Sequence, residues 1–265
     1  MTRSAYRALT QELLQDVPGR HRAVVSPTEP GVVAGLGHLD PGIGRGEWRI
    51  MVADGATAKA GEPLIEIVGT AGELAAAEDH VLGALGYAGG VARRCRELRS
   101  SCPTGLRIAC GGWKKLPAPL KPLLRAGLDA GGVTPRLIDG EFVYVDKNVV
   151  RLLGGVEAAA AGAAKLDHGP SAVQVTSAAD AVRAARAGVG IVMVDTGDLA
   201  TLTAAHRELD AAGLRGTVVL AFAGGVTSDD LVAVWRAGAE VVDLGRAILD
   251  APLWDLHVEV ADPAG

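Results

Sequence analysis

The feature that most constrains this chain is an alternation of strand-like and helix-like segments that begins after Pro103 and continues to residue 250. Each strand-like segment is about five apolar residues long, and each helical segment spans about ten to fifteen. Such alternation is typical of right-handed βαβ units, whose helices cover a buried parallel sheet. The strand-like segments are 106–110, 142–146, 172–175, 191–195, 217–222 and 241–245. The pattern predicts a parallel α/β barrel that is incomplete, because about six strands fall short of a closed eight-stranded barrel.

The residues before this run predict a smaller sheet covered by helices. β-Branched segments within 19–36 and 46–68, separated by turn-forming residues, indicate short strands. Helical periodicity follows over 73–85 and 91–101. Because Gly89 and Gly90 lie between these two segments, the sequence predicts two consecutive helices.

Together these patterns predict an α/β protein with two domains. We predict an N-terminal α+β sheet domain, a small sandwich, at 1–104, followed by a phosphate-binding α/β barrel domain at 105–250. Residues 254–260 alternate like a strand, so the segment 251–265 is expected to return to the first domain.

Composition and charge exclude several function classes. A net charge of -5, from 26 Lys+Arg against 31 Asp+Glu, provides no basic surface for nucleic acid. The charged, amphipathic segment 1–17 does not have the pattern of a signal peptide, and no apolar stretch of about 18 residues could cross a membrane. Cys95, Cys102 and Cys110 lack the paired spacing of a zinc site, and an odd number of cysteines favours a reducing compartment. The sequence predicts a cytoplasmic protein without nucleic-acid or membrane partners and without an organic cofactor.

Glycine loops follow the last two predicted strands. Ala223, Gly224 and Gly225 come directly after 217–222, while Gly245 and Arg246 end the last strand and open a helix. In parallel barrels, backbone N–H groups of these two loops commonly hold a phosphate. We predict a phosphate-binding site there. The alternative is that the glycines only permit tight turns.

Polar residues at other strand ends predict a substrate site. Asp195 ends the fourth strand and is suited to hold ribose hydroxyls or a magnesium ion, the alternative being a helix cap or a structural hydrogen bond. Gln174 lies at the end of the third strand. Trp113 and Lys114 follow the first strand, and Arg136 comes soon after, so that two cations are expected to face an anionic substrate.

The order and spacing of these motifs resemble the quinolinate phosphoribosyltransferase family, also called nicotinate-nucleotide pyrophosphorylase (carboxylating), and its ModD-like relatives. The resemblance runs over nearly the whole chain. It rests on GVVAGL at 31–36, DGATAKAGEPLIEIVG at 54–69, AAAED and AGGVA within 75–92, WKKLP through GGVTPR at 113–136, IVMVD at 191–195, LAFAGG at 220–225 and AGAEVVDLG at 237–245.

The resemblance implies an activity and its partners. The family transfers a ribose 5-phosphate group from phosphoribosyl pyrophosphate to the ring nitrogen of quinolinate with Mg²⁺, and one carboxylate then leaves as carbon dioxide. It also implies a homodimer or a higher homo-oligomer. By position, Lys114 and Asp195 would be catalytic, with Asp195 as the metal ligand. Trp113, Arg136, Lys147 and Gln174 would bind substrate.

The chain departs from the family where that family has cationic residues. Asp79, Trp113 and Pro135 stand at three such positions, Lys147 is displaced by one position, and Gln174 replaces a glutamate. Burial of the two carboxylates of quinolinate without compensating cations would cost several kcal/mol.

The sequence therefore predicts a diverged pentosyltransferase, which acts on a 5-phosphoribosyl group and an aromatic or heterocyclic acid other than quinolinate. Two alternatives stay open. One is a repurposed scaffold that binds a nucleotide-like ligand or serves as a partner subunit. The other is an enzyme that decarboxylates or rearranges a phosphoribosylated substrate.

Overall fold

The computed structural model describes residues 3–40, 42–43 and 46–261. The chain divides into two compact units. The first contains residues 1–96, 116–132 and 251–265, and the second contains residues 97–115 and 133–250. The domain boundaries expected from the sequence stay predictions.

Helices and strands follow one another along most of the described ranges. The helices are α1 (Arg3–Leu14), α2 (Ala71–Ser101), α3 (Lys121–Gly131), α4 (Lys147–Leu152), α5 (Val156–Ala164), α6 (Ala178–Arg186), α7 (Leu199–Ala211), α8 (Leu231–Arg236) and α9 (Arg246–Leu249). The strands are β1 (His21–Pro27), β2 (Gly31–Val32), β3 (Glu47–Ile50), β4 (Thr57–Ala58), β5 (Ile65–Gly69), β6 (Arg107–Ala109), β7 (Val143–Val145), β8 (Ser171–Val175), β9 (Ile191–Asp195), β10 (Val219–Ala223), β11 (Val241–Asp243) and β12 (Leu256–Val260). None of these helices is long and apolar enough to cross a membrane.

The first unit is built on an antiparallel sheet with the strand order β12-β1-β5-β3. Alternate residues of β5, among them Ile65 and Ile67, are buried in one core cluster with four residues of α2: Leu74, Ala77, Val81 and Leu85. Because these helix residues recur at intervals of three or four, they form one apolar face that covers the sheet. The small N-terminal sheet predicted from the sequence is confirmed.

The predicted break between two helices in this region is wrong, because α2 is continuous from Ala71 to Ser101. Gly89 and Gly90 lie inside it. A Cβ on Gly89 would come within 3.0 Å of the Val32 carbonyl oxygen, and one on Gly90 within 3.1 Å of the Trp254 backbone nitrogen. The glycines therefore allow neighbouring backbone to approach the helix closely, and their helical cost is offset by packing.

The second unit contains the predicted six-stranded parallel sheet, with the order β6-β11-β10-β9-β8-β7. Every neighbouring pair in this sheet is parallel. Small and medium side chains of alternate strand positions form its interior cluster, including Ala172, Met193, Ala221 and Val241. Since all strands run in one direction, their carboxyl ends lie along the same edge, and the incomplete barrel predicted from the sequence is confirmed.

Candidate functional site

The carboxyl edge of the six-stranded sheet collects polar side chains from four strands. Asp195 and Asp243 are the last residues of β9 and β11. Gln174 is the next-to-last residue of β8, and Asp146 directly follows β7. In parallel α/β folds this edge is where ligands bind. The edge is therefore the candidate site.

A hydrogen-bonded chain connects β7 and β8 at this edge. The backbone N–H of Lys147 donates to Gln174 Oε1 at 2.9 Å. Gln174 Nε2 donates to the Tyr144 hydroxyl at 2.7 Å. Both ends of the Gln174 amide are thus engaged. Burial raises the pKa of the Tyr144 phenol above its usual value, so the hydroxyl stays protonated at neutral pH.

Two predicted cations at this edge are paired with carboxylates. Lys147 Nζ lies 3.4 Å from Asp195 Oδ2, and Lys114 Nζ lies 3.5 Å from Asp146 Oδ2. The Lys114 ammonium also lies 4.7 Å from the centroid of the Tyr144 ring, within reach of a cation–π contact. The structure thus joins Lys114, Lys147, Gln174 and Asp195, four of the predicted residues, in one network.

Asp146 has two contacts that fix its charge. Its Oδ1 accepts from the backbone N–H groups of Asn148 and Val149, both at 3.0 Å, and so caps α4. These bonds, the one from Val149 first, lower the pKa of its carboxyl. Asp146 is therefore a stable negative partner for Lys114 at neutral pH.

Asp243 is the most enclosed carboxylate of the edge. Its Oδ1 accepts from the backbone N–H of Gly111 at 2.5 Å. Burial raises the pKa of this carboxyl, and the charge of Asp195 raises it further. The Lys115 ammonium is close to the same loops, because a Cβ on Gly245 would lie 3.7 Å from its Nζ.

The two glycines after β10 have different roles in the structure. Gly224 has φ +115°, and a Cβ there would lie 2.7 Å from Gly197 Cα in the loop after β9. Close packing of two loops therefore explains Gly224. Gly225 has φ +80° with no atom within 4 Å of an added Cβ, so this position borders open space. Of these two glycines, only Gly225 leaves room for a ligand to approach the backbone.

The second predicted phosphate loop lies after β11. Gly245 precedes α9, and Arg246 is its first residue. Arg246 Nε donates to Asp250 Oδ2 at 2.9 Å, and both side chains are exposed. The roles assigned to Ala223, Gly224, Gly225, Gly245 and Arg246 stay predictions, and Arg246 would have to exchange Asp250 for a phosphate.

Two further predicted substrate residues lie on the loops that follow β6. Trp113 is half-buried in a 3₁₀ turn at Gly111–Lys115. Arg136 is exposed, and its Nη1 donates to the Gly140 carbonyl oxygen at 3.1 Å. The predicted contacts of these side chains with substrate stay predictions.

The helix-cap alternative for Asp195 is wrong. The residue that caps α7 is Asp198, whose carboxylate accepts from the N–H groups of Ala200 and Thr201. The Asp195 side chain contacts Lys147 instead and is 21% exposed. The other alternative, a structural hydrogen bond, is present, because Lys147 Nζ donates to Asp195 Oδ2 at 3.4 Å.

The site predicted from the sequence lacks Tyr144, Asp146 and Asp243, which the structure brings to this edge, and also Lys115, for which a solvated surface lysine was the favoured interpretation. Two of them carried the same signal as Asp195. Asp146 and Asp243, like Asp195, each directly follow a valine in a strand-like run. The position of Tyr144 gave no signal, because an aromatic residue inside a strand usually indicates only core packing.

A cavity of about 570 Å³ lies elsewhere, within the first unit. His38, Asp54, Arg125 and Asp129 are among its lining residues. Asp54 already accepts a hydrogen bond from the backbone N–H of Leu36. None of the residues predicted to bind substrate is among its lining residues.

Comparisons with known proteins place this geometry in context. The model of the quinolinate phosphoribosyl transferase C-terminal domain matches residues 91–259, and that of the N-terminal domain matches residues 9–88. A probable nicotinate-nucleotide pyrophosphorylase (carboxylating) from Methanothermobacter thermautotrophicus is 28% identical over 96% of this chain and 94% of its own. A similarly named protein from Archaeoglobus fulgidus is 24% identical over 90% of this chain and 93% of its own.

Solved structures share the fold. The nicotinate-nucleotide pyrophosphorylase of Francisella tularensis aligns with a TM-score of 0.77 at 18% identity, over 98% of both chains. That of Ehrlichia chaffeensis aligns with a TM-score of 0.78 at 17% identity, over 98% of this chain and 99% of its own. At these identities the likeness establishes architecture, whereas the two family models together extend from residue 9 to residue 259. The chain therefore belongs to the quinolinate phosphoribosyltransferase family.

Proposed function

We propose that this chain is a phosphoribosyltransferase that joins a 5-phosphoribosyl group to an aromatic or heterocyclic acid other than quinolinate. One observation carries the proposal: a network of lysines and carboxylates lies at the same sheet edge as two glycine loops. The names of the relatives, nicotinate-nucleotide pyrophosphorylases, support the same reaction class.

The donor would occupy the β9–β11 end of the edge. Gly225 borders open space, so backbone N–H groups there can approach a 5-phosphate. Lys115, beside Gly245, would supply positive charge to the same group. Asp195 would hold the ribose hydroxyls, releasing Lys147 from its ion pair for the pyrophosphate. In this arrangement both lysines act as phosphate-binding cations.

Transfer of a phosphoribosyl group builds positive charge on the anomeric carbon as pyrophosphate leaves. Asp195 and Asp243 end two strands of the sheet and Asp146 directly follows a third, so three carboxylates lie at this edge. Fixed carboxylates stabilise such developing charge without reorganisation at the moment of reaction. The chemistry would therefore depend mainly on positioning and electrostatics.

The acceptor would occupy the β7–β8 end of the edge. The pairing of the lysines with carboxylates limits how much negative charge an acceptor can carry there. Lys114 is balanced by Asp146, and Lys147 is paired with Asp195 or, once the donor is bound, would pair with the pyrophosphate. A second carboxylate on the acceptor would have to compete with one of these pairs, at a cost in desolvation. This supports an acceptor with fewer negative charges than quinolinate.

The described residues of this site could supply only part of the coordination of a magnesium ion. No group of three or more His, Cys, Asp or Glu side chains in the described ranges is arranged to hold a metal ion alone. Mg²⁺ is often held by one or two carboxylates together with substrate phosphates and water. We propose Asp195 as its protein ligand, with the pyrophosphate supplying further oxygens. The ion would neutralise charge on the leaving pyrophosphate.

The test is a calorimetric titration of the purified protein with phosphoribosyl pyrophosphate and MgCl₂. We expect a Kd of about 10 µM or lower for the donor, and an Asp195→Asn variant should weaken binding about 100-fold. Asp210→Asn, which removes an exposed carboxylate at the end of α7, is the matched control and should change the Kd less than about twofold. Absence of donor binding by the unmodified protein would refute the proposed function.

We further propose a homodimer or a higher homo-oligomer. Several large apolar side chains of the second unit are exposed, including Leu152 at 85% and Leu166 at 55%. Burial of such side chains between copies would be favourable. Sedimentation at a mass of at least twice 27.0 kDa would support this assembly, and a monomer at micromolar concentration would contradict it.

A cytoplasmic location completes the proposal. Cys95, Cys102 and Cys110 form no disulfide among the described residues. Burial raises the pKa of the Cys110 thiol to about 11, which makes it unreactive at neutral pH. Free cysteines suit a reducing compartment. Cell fractionation would test the location, and recovery of the protein outside the cytoplasm would contradict it.

A further inference from the structure

The hydroxyl group of Tyr144 lies at the β7–β8 end of the polar edge. Its ring lies against the interior apolar cluster of the second unit, and Phe142 contacts it edge-on with the ring centroids 6.4 Å apart. The Lys114 ammonium covers the ring at 4.7 Å. Packing and charge therefore fix the ring, and the hydroxyl points toward the polar groups of the edge, where it meets Gln174.

The direction of the hydrogen bond between Gln174 and Tyr144 follows from the other end of the amide. The backbone N–H of Lys147 can only donate, so the Gln174 oxygen must face it. The amide nitrogen then faces Tyr144 and donates to the hydroxyl oxygen. The hydroxyl acts as the acceptor in this bond, and its own proton remains available. Among the hydrogen bonds of the described residues, none has Tyr144 as the donor.

The surroundings of this proton disfavour a negatively charged acceptor. Burial raises the pKa of the phenol, and the charges of Asp243, Asp195 and Asp146 raise it further. Lys114, which covers the Tyr144 ring, and Lys147, whose N–H bonds Gln174, are already paired with Asp146 and Asp195. An anion placed against the hydroxyl would have to compete for one of these lysines, whereas an uncharged carbonyl oxygen would accept the hydrogen bond without such competition.

We propose that Tyr144 selects the acceptor substrate. Its hydroxyl would donate a hydrogen bond to an uncharged carbonyl group, such as a carboxamide or a ring carbonyl, on a flat heterocycle. This inference rests on the proposed function, because it assigns the β7–β8 end of the edge to the acceptor. It narrows the substrate class to heterocycles that carry at most one carboxylate beside a neutral carbonyl. Tyr144 is then a residue that determines specificity, and Gln174 positions it.

The probes are three pyridines of nearly equal shape: pyridine-2,3-dicarboxylate and its two monoamides, 2-carbamoylpyridine-3-carboxylate and 3-carbamoylpyridine-2-carboxylate. Each is titrated calorimetrically into the full-length protein, with and without phosphoribosyl pyrophosphate. We expect one monoamide to bind at least about tenfold more tightly than the dicarboxylate. Tyr144→Phe, which removes only the hydroxyl, should reduce this preference to less than about twofold.

Two further variants make the test specific. Gln174→Glu keeps an acceptor for the Lys147 N–H but places a carboxylate against the hydroxyl, and this carboxylate would accept the hydrogen bond that the hydroxyl otherwise offers to substrate. It should therefore lose the preference as Tyr144→Phe does. Thr217→Val removes an exposed hydroxyl just before β10, at the opposite edge of the sheet, and should keep the preference.

The proposal is overturned if the dicarboxylate binds as tightly as both monoamides, if Tyr144→Phe keeps the preference, or if none of the three probes binds at about 10 mM. Donor binding is read separately. If the protein prefers a monoamide but does not bind phosphoribosyl pyrophosphate, the proposed function fails and the role of Tyr144 stands. If the donor binds and the preference is absent, only the role of Tyr144 fails.

Discussion

The two ends of the carboxyl edge in the second unit are built from different kinds of groups. At β10 and β11 the backbone dominates, through Gly224, Gly225 and Gly245. At β7 and β8 the edge consists of side chains that bond to one another, with Tyr144 and Gln174 at the centre. Glycine geometry leaves little freedom for substitution, whereas a side-chain network can change its chemistry and keep the fold.

This difference indicates where the chain resembles its family and where it departs from it. The glycine loops match the family pattern, whereas two of the five departures, Lys147 and Gln174, lie at the β7–β8 end. We therefore expect substitutions at the first end to affect stability and donor binding together. Substitutions at the second end should affect acceptor choice, with smaller effects on the donor.

The largest effect is expected for Gly224→Ala. The new Cβ would lie 2.7 Å from Gly197 Cα, and φ at this position is +115°. Both the clash and the backbone strain act on the folded state, so the free energy of unfolding should fall by about 3 kcal/mol. Urea denaturation measures this loss, and calorimetry should show donor affinity reduced at least about 100-fold.

Gly225→Ala is the control for that comparison. Its φ of +80° carries strain, but no atom lies within 4 Å of the added Cβ. The expected loss of stability is about 1 kcal/mol. If both alanine variants were equally stable, close packing of the two loops would not be the reason for Gly224, and the contrast between the ends would weaken.

Gln174→Ala should have a smaller effect on stability, and a different one on binding. It leaves the Lys147 N–H and the Tyr144 hydroxyl without their partner. Loss of such bonds in a partly buried site costs about 1–2 kcal/mol. Donor affinity should change less than about threefold, because Gln174 lies at the other end of the edge. A loss of donor binding as large as that of Gly224→Ala would show that the two ends do not act separately.

The sequence was sufficient to predict the second unit's sheet because its strands are buried on both faces. Continuous apolar runs such as 191–194 and 218–223 are visible without knowledge of their neighbours. The Gly89-Gly90 pair led to the wrong prediction of a helix break for the opposite reason. Its meaning depends on backbone that approaches from residues distant in the sequence, Val32 and Trp254, and local propensity cannot report such contacts.

The candidate site could be predicted only in part. Asp195 was found because a carboxylate at a strand end stands out against apolar neighbours. The pairing of Lys114 with Asp146 and of Lys147 with Asp195 joins residues that are 32 and 48 positions apart. Such partners depend on strand order and register, which a single sequence does not specify. The same reason explains why Tyr144 was missed.

Asp243→Asn should produce a modest gain in stability that depends on pH. The pKa of Asp243 is raised in the folded state, chiefly by burial, so the folded protein favours the protonated carboxyl. The cost of the charged form is absent below the unfolded-state value of about 4 and grows as pH rises through the folded-state value. The amide removes that cost and can still accept from the Gly111 N–H.

At pH 7 we therefore expect Tm of the Asp243→Asn variant to rise by about 2–4 °C. The rise should shrink as the pH is lowered toward 4, in scans recorded without divalent metal ions. Asp210→Asn removes an exposed carboxylate and should give no comparable rise. A variant that is less stable than the unmodified protein at pH 7 would show that the Asp243 charge is stabilised by its neighbours.

The smallest effect on stability is expected for Arg246→Ala, and it tests how far the backbone alone holds the donor. The Arg246 side chain is 82% exposed, and its partner Asp250 is 57% exposed. Exposed pairs contribute little, so the free energy of unfolding should change by less than about 0.5 kcal/mol. If Arg246 exchanges Asp250 for a phosphate, the Arg246→Ala variant should bind the donor about fivefold to tenfold more weakly. Lowering the salt concentration should restore none of the lost affinity. Arg236→Ala, an equal change of charge at the end of α8, should leave donor affinity within about twofold. Unchanged affinity in Arg246→Ala would mean that backbone N–H groups, with Lys115, suffice at this end, and the contrast with the side-chain network at β7 and β8 would be sharper still.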